Sequence, residues 1–307
     1  MPLLQSADWP LIIDIYFFLG GLAGGAFVIA TVASLWGGDR SREITRIGYY
    51  LALLAIIPGP IILVADLGMP TRFLHMMMVA KPELTIGQSA VNLGPFHLKP
   101  FSPMNAGAWA LMGFSLCAFL AALDVFLVAR GGRSMAGLRG AAGVIGSFFG
   151  FFIAAYPGVL MGATARPLWI DARLLGALFL TVGMTTGGAA IALILAATGA
   201  RARDGLASLK RTYTMALGLE LVILILLFAV VRGAGPVAQA GLAALISGVY
   251  GTTFWLGAVG VGLIIPLILE LTSRSRVSMG VTAISAILIL IGGFLTKYVI
   301  MIAGQAI

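Results

Sequence analysis

Long apolar runs alternate with short polar connections along the whole sequence. The runs lie at about 10–36, 47–65, 105–129, 141–163, 173–198, 213–231, 244–271 and 279–303. Each is long enough, as a helix, to cross a hydrocarbon layer of about 30 Å. The pattern therefore predicts an all-α integral membrane protein with eight transmembrane helices. The seventh run opens with PVAQAGLAALISGVYGTTFW, which leaves room for a short interfacial helix before the span itself. Pro58, Pro60, Pro157 and Pro266 fall inside spans, where kinks are tolerated if neighbouring groups satisfy the freed carbonyls.

Composition agrees. Of 307 residues, 60% are apolar and only 10% charged, with a mean hydropathy of +1.07. Soluble domains carry about 25% charged residues, so this protein cannot clothe itself in a water-facing surface. Its 41 glycines suit helices that pack closely in lipid through small side chains. The formal charge of +8 raises nucleic acid as a partner, but the basic residues stand singly in short loops. They read instead as topology determinants and lipid-headgroup contacts, with no nucleic acid involved. The segment MPLLQSADWP lacks a basic n-region and a small-residue cleavage site, so the first run is expected to stay in the mature protein.

Basic residues also set the orientation. Connections after the first, third, fifth and seventh runs hold Arg40, Arg42, Arg46, Arg130, Arg133, Arg139, Arg201, Arg203, Lys210, Arg211, Arg274 and Arg276. The opposite side holds Arg72, Lys81, Lys99, Arg166, Arg173 and Arg232, spread over more sequence. The positive-inside rule makes the first set cytoplasmic and puts both termini outside, in the periplasm if the membrane is a bacterial inner membrane. The longest connection, 66–104, is then external; loops of that length bind a partner or fold onto something. Ser102 and Asn105 are candidate N-caps for the third span.

Metal and haem chemistry find little support. Cys117 is the single cysteine, which excludes an intrachain disulfide and a four-thiolate cluster, and no CxxCH stretch is present. His75 and His97 both lie in the 66–104 connection rather than facing one another across spans. Neither haem nor an iron–sulfur cluster is expected in this protein.

Ionisable groups inside a membrane cost about 2.5 to 3.5 kcal/mol at the centre, so each calls for a reason. Asp14 lies about one turn inside the outer face on span one, and Asp66 ends span two on that face. Tyr156 and Lys297 occupy the outer thirds of spans four and eight, and Arg166 follows span four. Asp14 and Lys297 could simply neutralise each other, and Asp66 with Arg72 could form a local clamp. A shared depth is the argument for function. Glu220, in span six, is a candidate step in a proton path. Asp124 reads as structural, reaching Arg130 or Arg133, and Glu270 as a surface partner of Arg274.

Asp, Tyr, Arg and Lys at the outer edge of the hydrocarbon, walled by glycine-rich helices, suit an amphiphile with an apolar tail. A quinone is the clearest case, because its carbonyls need donors and its redox change needs protons. Five stretches strengthen that reading: YFFLGGLAGGAF, DLGMPTRF, SPMNAGAW, YPGVLMGATARPLW and GGFLTKYVIMIAGQ. In this order on eight spans the sequence resembles the NrfD-like membrane subunits, typified by the polysulfide reductase membrane subunit. The resemblance implies a haem-free anchor of two four-helix bundles, about 10–163 (with loop 66–104) and about 173–303. It implies a bound quinone, menaquinone or ubiquinone, near the face where a ferredoxin-like iron–sulfur subunit docks. In the family that iron–sulfur protein often links to a molybdopterin catalytic subunit, and some members work with multihaem cytochromes.

The same resemblance places Tyr156 at the family's quinone-contacting tyrosine and puts Asp66 and Arg72 in its acid-and-arginine motif. Asp14, Lys297 and Arg166 complete the expected quinone site. Two departures stand out. Span one offers Asp14 and Phe18 where the polysulfide reductase type has Asn and His, and Lys297 stands where Arg is common. Lys carries the charge without a planar fork. Two other functions fit the same residues. A secondary transporter would use Glu220 and Asp14 as ion or proton sites. A redox-driven pump would use Glu220 to couple quinone chemistry to proton translocation.

Overall fold

A computed structural model describes residues 8–78, 91–99, 102–164, 166–198, 203–273 and 278–306. Lys81, Arg201, Arg274 and Arg276, and the side chain of Arg203, lie outside the described residues. The helices are α1 Leu11–Trp36, α2 Arg42–Ile56, α3 Pro58–Asp66, α4 Pro103–Ala129, α5 Ala136–Gly162 and α6 Pro167–Ile170. They continue as α7 Leu175–Thr198, α8 Arg203–Gly233 and α9 Pro236–Ile246, then a π-helical stretch Thr253–Ile264 running into α10 Ile265–Thr272, and α11 Met279–Gln305. Among the described residues eight helical segments are long and apolar enough to span a membrane, and they match the eight predicted runs. The protein is a multi-pass membrane protein.

Local chemistry accounts for the breaks. Span two is two helices: Ile57 keeps helical angles (φ −54°, ψ −43°), but Pro58 and Pro60 supply no N–H, and the run is interrupted there. Span seven is preceded by the short α9, as its sequence suggested, and its first half is π-helical. Helix α4 begins at Ser102, whose hydroxyl accepts from the Asn105 N–H at 3.5 Å, with Pro103 in the first turn. It ends where Gly131 adopts φ +80° and the Gly132 N–H returns to the Leu127 carbonyl. Asn105 is no cap itself. Its side chain accepts from the Lys99 N–H and donates to the Met76 carbonyl, tying the long connection to the start of α4.

Large apolar side chains cover the outside: Leu116, Phe119, Phe148 and Ile225 are each at least half exposed. Lipid is the solvent that makes such a surface favourable. In α1 and α7, 78% of the most apolar stretch is buried, against 28% in α8, so α1 and α7 form the centre. Helix α1 packs on α2, α5, α7 and α11; α4 packs on α5; α11 packs on α7 and on the π-helical stretch.

Glycine sets how closely these helices approach. A side chain at Gly25 would run into the Gly183 carbonyl of α7, one at Gly24 into the Gly150 carbonyl of α5, and one at Gly292 into the Gly262 backbone. With no hydrophobic drive between helices in lipid, such close backbone packing is a main source of cohesion. Gly218, by contrast, faces open space. Gly25→Leu is therefore expected to lower the detergent melting temperature sharply or abolish folded yield. Gly218→Ala should leave both within error of the original protein, as read by thermal unfolding with size-exclusion detection.

Candidate functional site

The far face is the end of the bundle where α1 begins and α11 finishes. The basic face is the end carrying Arg40, Arg42 and Arg133. Near the far face α1 presents polar groups on two opposite sides. At 3.6 residues per turn, positions 14, 21 and 25 share one side and positions 16, 20 and 24 the other. The first side meets α7 and α11, the second meets α5.

On the first side the Lys297 ammonium, from α11, is fully buried at 1% exposure. It donates to the Phe17 carbonyl at 2.7 Å and lies 5.2 Å from the centre of the Phe179 ring. Gly21 makes the room, since a Cβ there would stand 2.5 Å from the ammonium nitrogen. Asp14, also 1% exposed, has no hydrogen-bond partner for either carboxylate oxygen among the described residues. Glu220 of α8 is buried and accepts from the Thr185 hydroxyl of α7 at 3.0 Å. Lys297 lies within electrostatic reach of both acids. Neither acid comes within 4.0 Å of it, so the direct Asp14–Lys297 ion pair is replaced by a carbonyl contact and two longer-range attractions.

The far end of this side is closed. Trp9 stacks on the fully buried Trp169 with ring centres 5.5 Å apart, and meets Phe17 edge-on. The Trp169 indole donates to the Ile300 carbonyl at 3.0 Å. The Gln305 side chain accepts from the Trp9 N–H and donates to the Trp9 carbonyl, and Arg166 donates to the Gln305 carbonyl at 2.9 Å. Arg166 thus belongs to this closure.

On the second side, Tyr156 of α5 is buried, stacks on Phe152, and lies against Gly107 of α4, where a Cβ would meet its ring. Tyr16 of α1 packs against Gly59 of α3 and lies within electrostatic reach of Tyr156. Neither hydroxyl is hydrogen-bonded among the described residues. Above them lie the start of α4 and a hairpin of strands β1 Val91–Leu93 and β2 Phe96–Leu98, whose turn places Gly94 at φ +64°. Trp109 donates to the His97 carbonyl at 3.0 Å. Burial, with Lys99 nearby, holds the His97 imidazole below its ordinary pKa.

The expected single cluster is therefore two. Asp14 and Lys297 occupy one side of α1 and Tyr156 the other, because residues 14 and 16 point about 200° apart. Asp66, at the end of α3, and Arg72, in the 3-10 turn Pro70–Met76, are exposed and form no ion pair among the described residues. The backbone does turn sharply after Asp66, with Leu67 extended, as Gly68 and Pro70 suggested.

Three other expectations are corrected. Asp124 pairs with Arg139 at 2.6 Å and also takes the Met135 N–H at the start of α5, whereas Arg130 lies over the Phe126 ring. The α4–α5 turn folds back and brings Arg139 closer than Arg130 or Arg133. Glu270 is buried at 3% exposure, 3.1 Å from Lys210 and bonded to the Tyr213 hydroxyl at 2.8 Å. It is buried against α8 rather than at the surface, its expected partner Arg274 lies outside the described residues, and Lys210 is no headgroup contact. Sequence reasoning also missed Tyr16, although it sits two residues from Asp14 in a polar-poor run. Among the described residues no group of three or more His, Cys, Asp or Glu side chains could hold a metal ion.

Comparison with known proteins gives a family model, described as "Polysulphide reductase, NrfD", matching residues 3–307. A polysulfide reductase polypeptide of Wolinella succinogenes is 26% identical over 97% of this protein and 93% of its own length. Protein NrfD of Escherichia coli is 26% identical over 97% of this protein and 94% of its own length. A selenate reductase polypeptide of Mesobacillus selenatarsenatis is 22% identical over 93% of this protein and 72% of its own length.

Removing one charge from a buried set leaves the others uncompensated, at a typical cost of about 3–5 kcal/mol, whereas removing all can be neutral. Lys297→Met alone is expected to lower the unfolding midpoint in detergent strongly. Adding Asp14→Asn and Glu220→Gln should recover most of that loss. Equal destabilisation by the single and triple variants would show that the three groups are not coupled.

Proposed function

The protein belongs to the polysulphide reductase, NrfD family, and on that premise we propose that it exchanges electrons between the membrane quinone pool and a docked iron–sulfur subunit. Family members are membrane subunits of respiratory oxidoreductases, and the names of two relatives, a polysulfide reductase and a selenate reductase, fit such a role. In this reading the far face is periplasmic, the membrane is a bacterial inner membrane, and both termini are periplasmic. The helices sort into two rings of four spans, α1 to α5 and α7 to α11, joined along α1 and α7. A ferredoxin-like subunit sits on the 66–104 connection and leads to a molybdopterin subunit or a multihaem cytochrome.

The observation that carries the proposal is the pair Tyr16 and Tyr156, buried beneath the far-face connection with hydroxyls bonded to no other group among the described residues. Each hydroxyl is available to donate to a ligand carbonyl, and such a hydrogen bond is worth about 0.5–1.5 kcal/mol. Gly59 and Gly107 let the Tyr16 and Tyr156 rings seat directly against α3 and α4, which fixes where the two hydroxyls stand. The quinone, menaquinone or ubiquinone, supplies two-electron chemistry accompanied by two protons. Tyr156 and Tyr16 bind and orient its head. Asp66 and Arg72, exposed above the pocket, form its rim and the contact with the docked subunit. Asp14, Lys297, Arg166 and Glu220, across α1, serve the protons: the carboxylates hold and release them, Lys297 holds the acids in place by charge, and Arg166 closes the outer end.

A secondary transporter would also use buried acids, yet the two tyrosines and the hairpin above them have no role in it. The test is turnover of a short-tailed naphthoquinol by the assembled complex. Tyr156→Phe is expected to raise KM or cut turnover by about tenfold, the worth of one hydrogen bond of roughly 1.4 kcal/mol. Tyr156→Phe with Tyr16→Phe should cut it further, and unchanged kinetics in the double variant would end the proposal.

A further inference from the structure

The two least buried spans among the described residues are neighbours. Only 28% of the most apolar stretch of α8 is buried, and 33% of that of span seven. Between α8 and α10, the last part of span seven, lies a cavity of about 410 Å³. Arg211 and Ser273 on its rim belong to the basic end of the bundle, so the cavity stands at the basic face. Its walls change character along the helix axis, and that gradient identifies what fits.

At the basic end the walls are polar. Lys210 and Arg211 are consecutive on α8, so they point about 100° apart. Lys210 turns inward: it is buried, 3.1 Å from Glu270, and donates to the Ser273 hydroxyl at 3.3 Å. Glu270 matches its charge and also accepts from the Tyr213 hydroxyl at 2.8 Å. Arg211 turns outward, is exposed, and forms no ion pair among the described residues. Ser273 accepts from Lys210, so its own hydrogen is left to donate, and Thr214 brings a second hydroxyl to the same wall. One guanidinium and two hydroxyls are donors that suit a phosphodiester.

Deeper in, the walls are apolar. Met215 and Gly218 follow Arg211 on one side of α8, four and seven residues on, and Leu267 and Leu271 line the cavity from α10. Gly218 lies about 10 Å below Arg211 along the helix axis, a depth that belongs to the hydrocarbon. A Cβ there would meet no atom within 4 Å, so the cleft stays open at that level. Met215 and Leu271 are exposed, so the cleft opens sideways to lipid. A guanidinium at the rim, hydroxyls beside it and an open apolar slot below repeat the layout of one phospholipid molecule, phosphate above and acyl chain beneath.

We infer that this cleft binds a monoanionic phospholipid from the basic-face leaflet. Arg211, Thr214 and Ser273 hold its phosphodiester, and one acyl chain lies over Gly218. Charge selects the head group. Lys210 and Glu270 cancel, so the described lining carries one net positive charge, which a single phosphodiester neutralises. An ethanolamine or choline head group would bring a second cation beside Arg211, whereas a glycerol head group brings only hydroxyls. Basic pockets between spans take anionic head groups in this manner. The bound lipid supplies packing between α8 and α10 that side chains do not. The site is independent of the quinone reading.

Native mass spectrometry of the assembled complex in detergent, titrated with phosphatidylglycerol or phosphatidylcholine, tests the site. The original complex is expected to hold one phosphatidylglycerol more tightly than any further copies, and at least fivefold more tightly than phosphatidylcholine. Arg211→Gln should weaken that tightest step about fivefold, the worth of one interfacial arginine at about 1 kcal/mol. Gly218→Leu fills the apolar slot, leaves every charge in place, and should weaken the step as much. Should Gly218→Leu fail to fold, Met215→Trp narrows the slot from an exposed position and takes its place. Arg133→Gln, in the α4–α5 turn, should leave the step unchanged, and inorganic phosphate, which has no chain for the slot, should not compete. Equal affinity for the two lipids, or an unchanged step in Arg211→Gln or in the slot variant, would overturn the inference. So would displacement by inorganic phosphate, or an equal loss in Arg133→Gln, which marks diffuse attraction to the whole basic face.

Discussion

A single ammonium group buried in the membrane interior organises this protein. Among the described residues Lys297 has no carboxylate within contact distance, and one carbonyl, that of Phe17, receives its hydrogen bond. A lone charge at that depth is unfavourable, and three features offset the cost: Gly21 clears the space, the Phe179 ring presents its face, and Asp14 and Glu220 attract from two sides. These features come from several helices. Placing the charge therefore requires α1, α7, α8 and α11 to meet at one register, and the glycines at 21, 25 and 183 let them do so.

The same constraint separates two kinds of chemistry. Helix α1 turns an aromatic side toward α5 and a charged side toward α7 and α11. On the aromatic side, Tyr16 and Tyr156 lie under a connection fastened by Asn105 and Trp109. On the charged side, Asp14 and Glu220 attract the buried Lys297 ammonium.

Much of the fold was legible in the sequence, because spans are written in hydropathy and their breaks in proline and glycine. The eight runs, the helix before span seven and the sharp stop after Asp66 all followed from that. The burial that polar groups inside a span require was legible too, and Asp14, Tyr156, Lys297 and Glu220 are all buried. Azimuth was not. That residues 14 and 16 serve opposite sides of α1 becomes visible only when the neighbours of each side are known, and neighbours are set by glycine contacts between distant segments. Partner choice failed for the same reason. Glu270 read as a surface residue, whereas helix packing buries it against Lys210 and Tyr213 from another span. Asp124 likewise took Arg139, because the α4–α5 turn folds back on itself.

The most direct measurement is photo-crosslinking of an azido-quinone to the assembled complex, followed by peptide mapping. The account predicts label on the far-face ends of α1, α4 and α5, around Tyr16, Gly107 and Tyr156, and competition by unmodified quinone. Label confined to the lipid-facing surface of α8, or to the basic-face cavity, would contradict it.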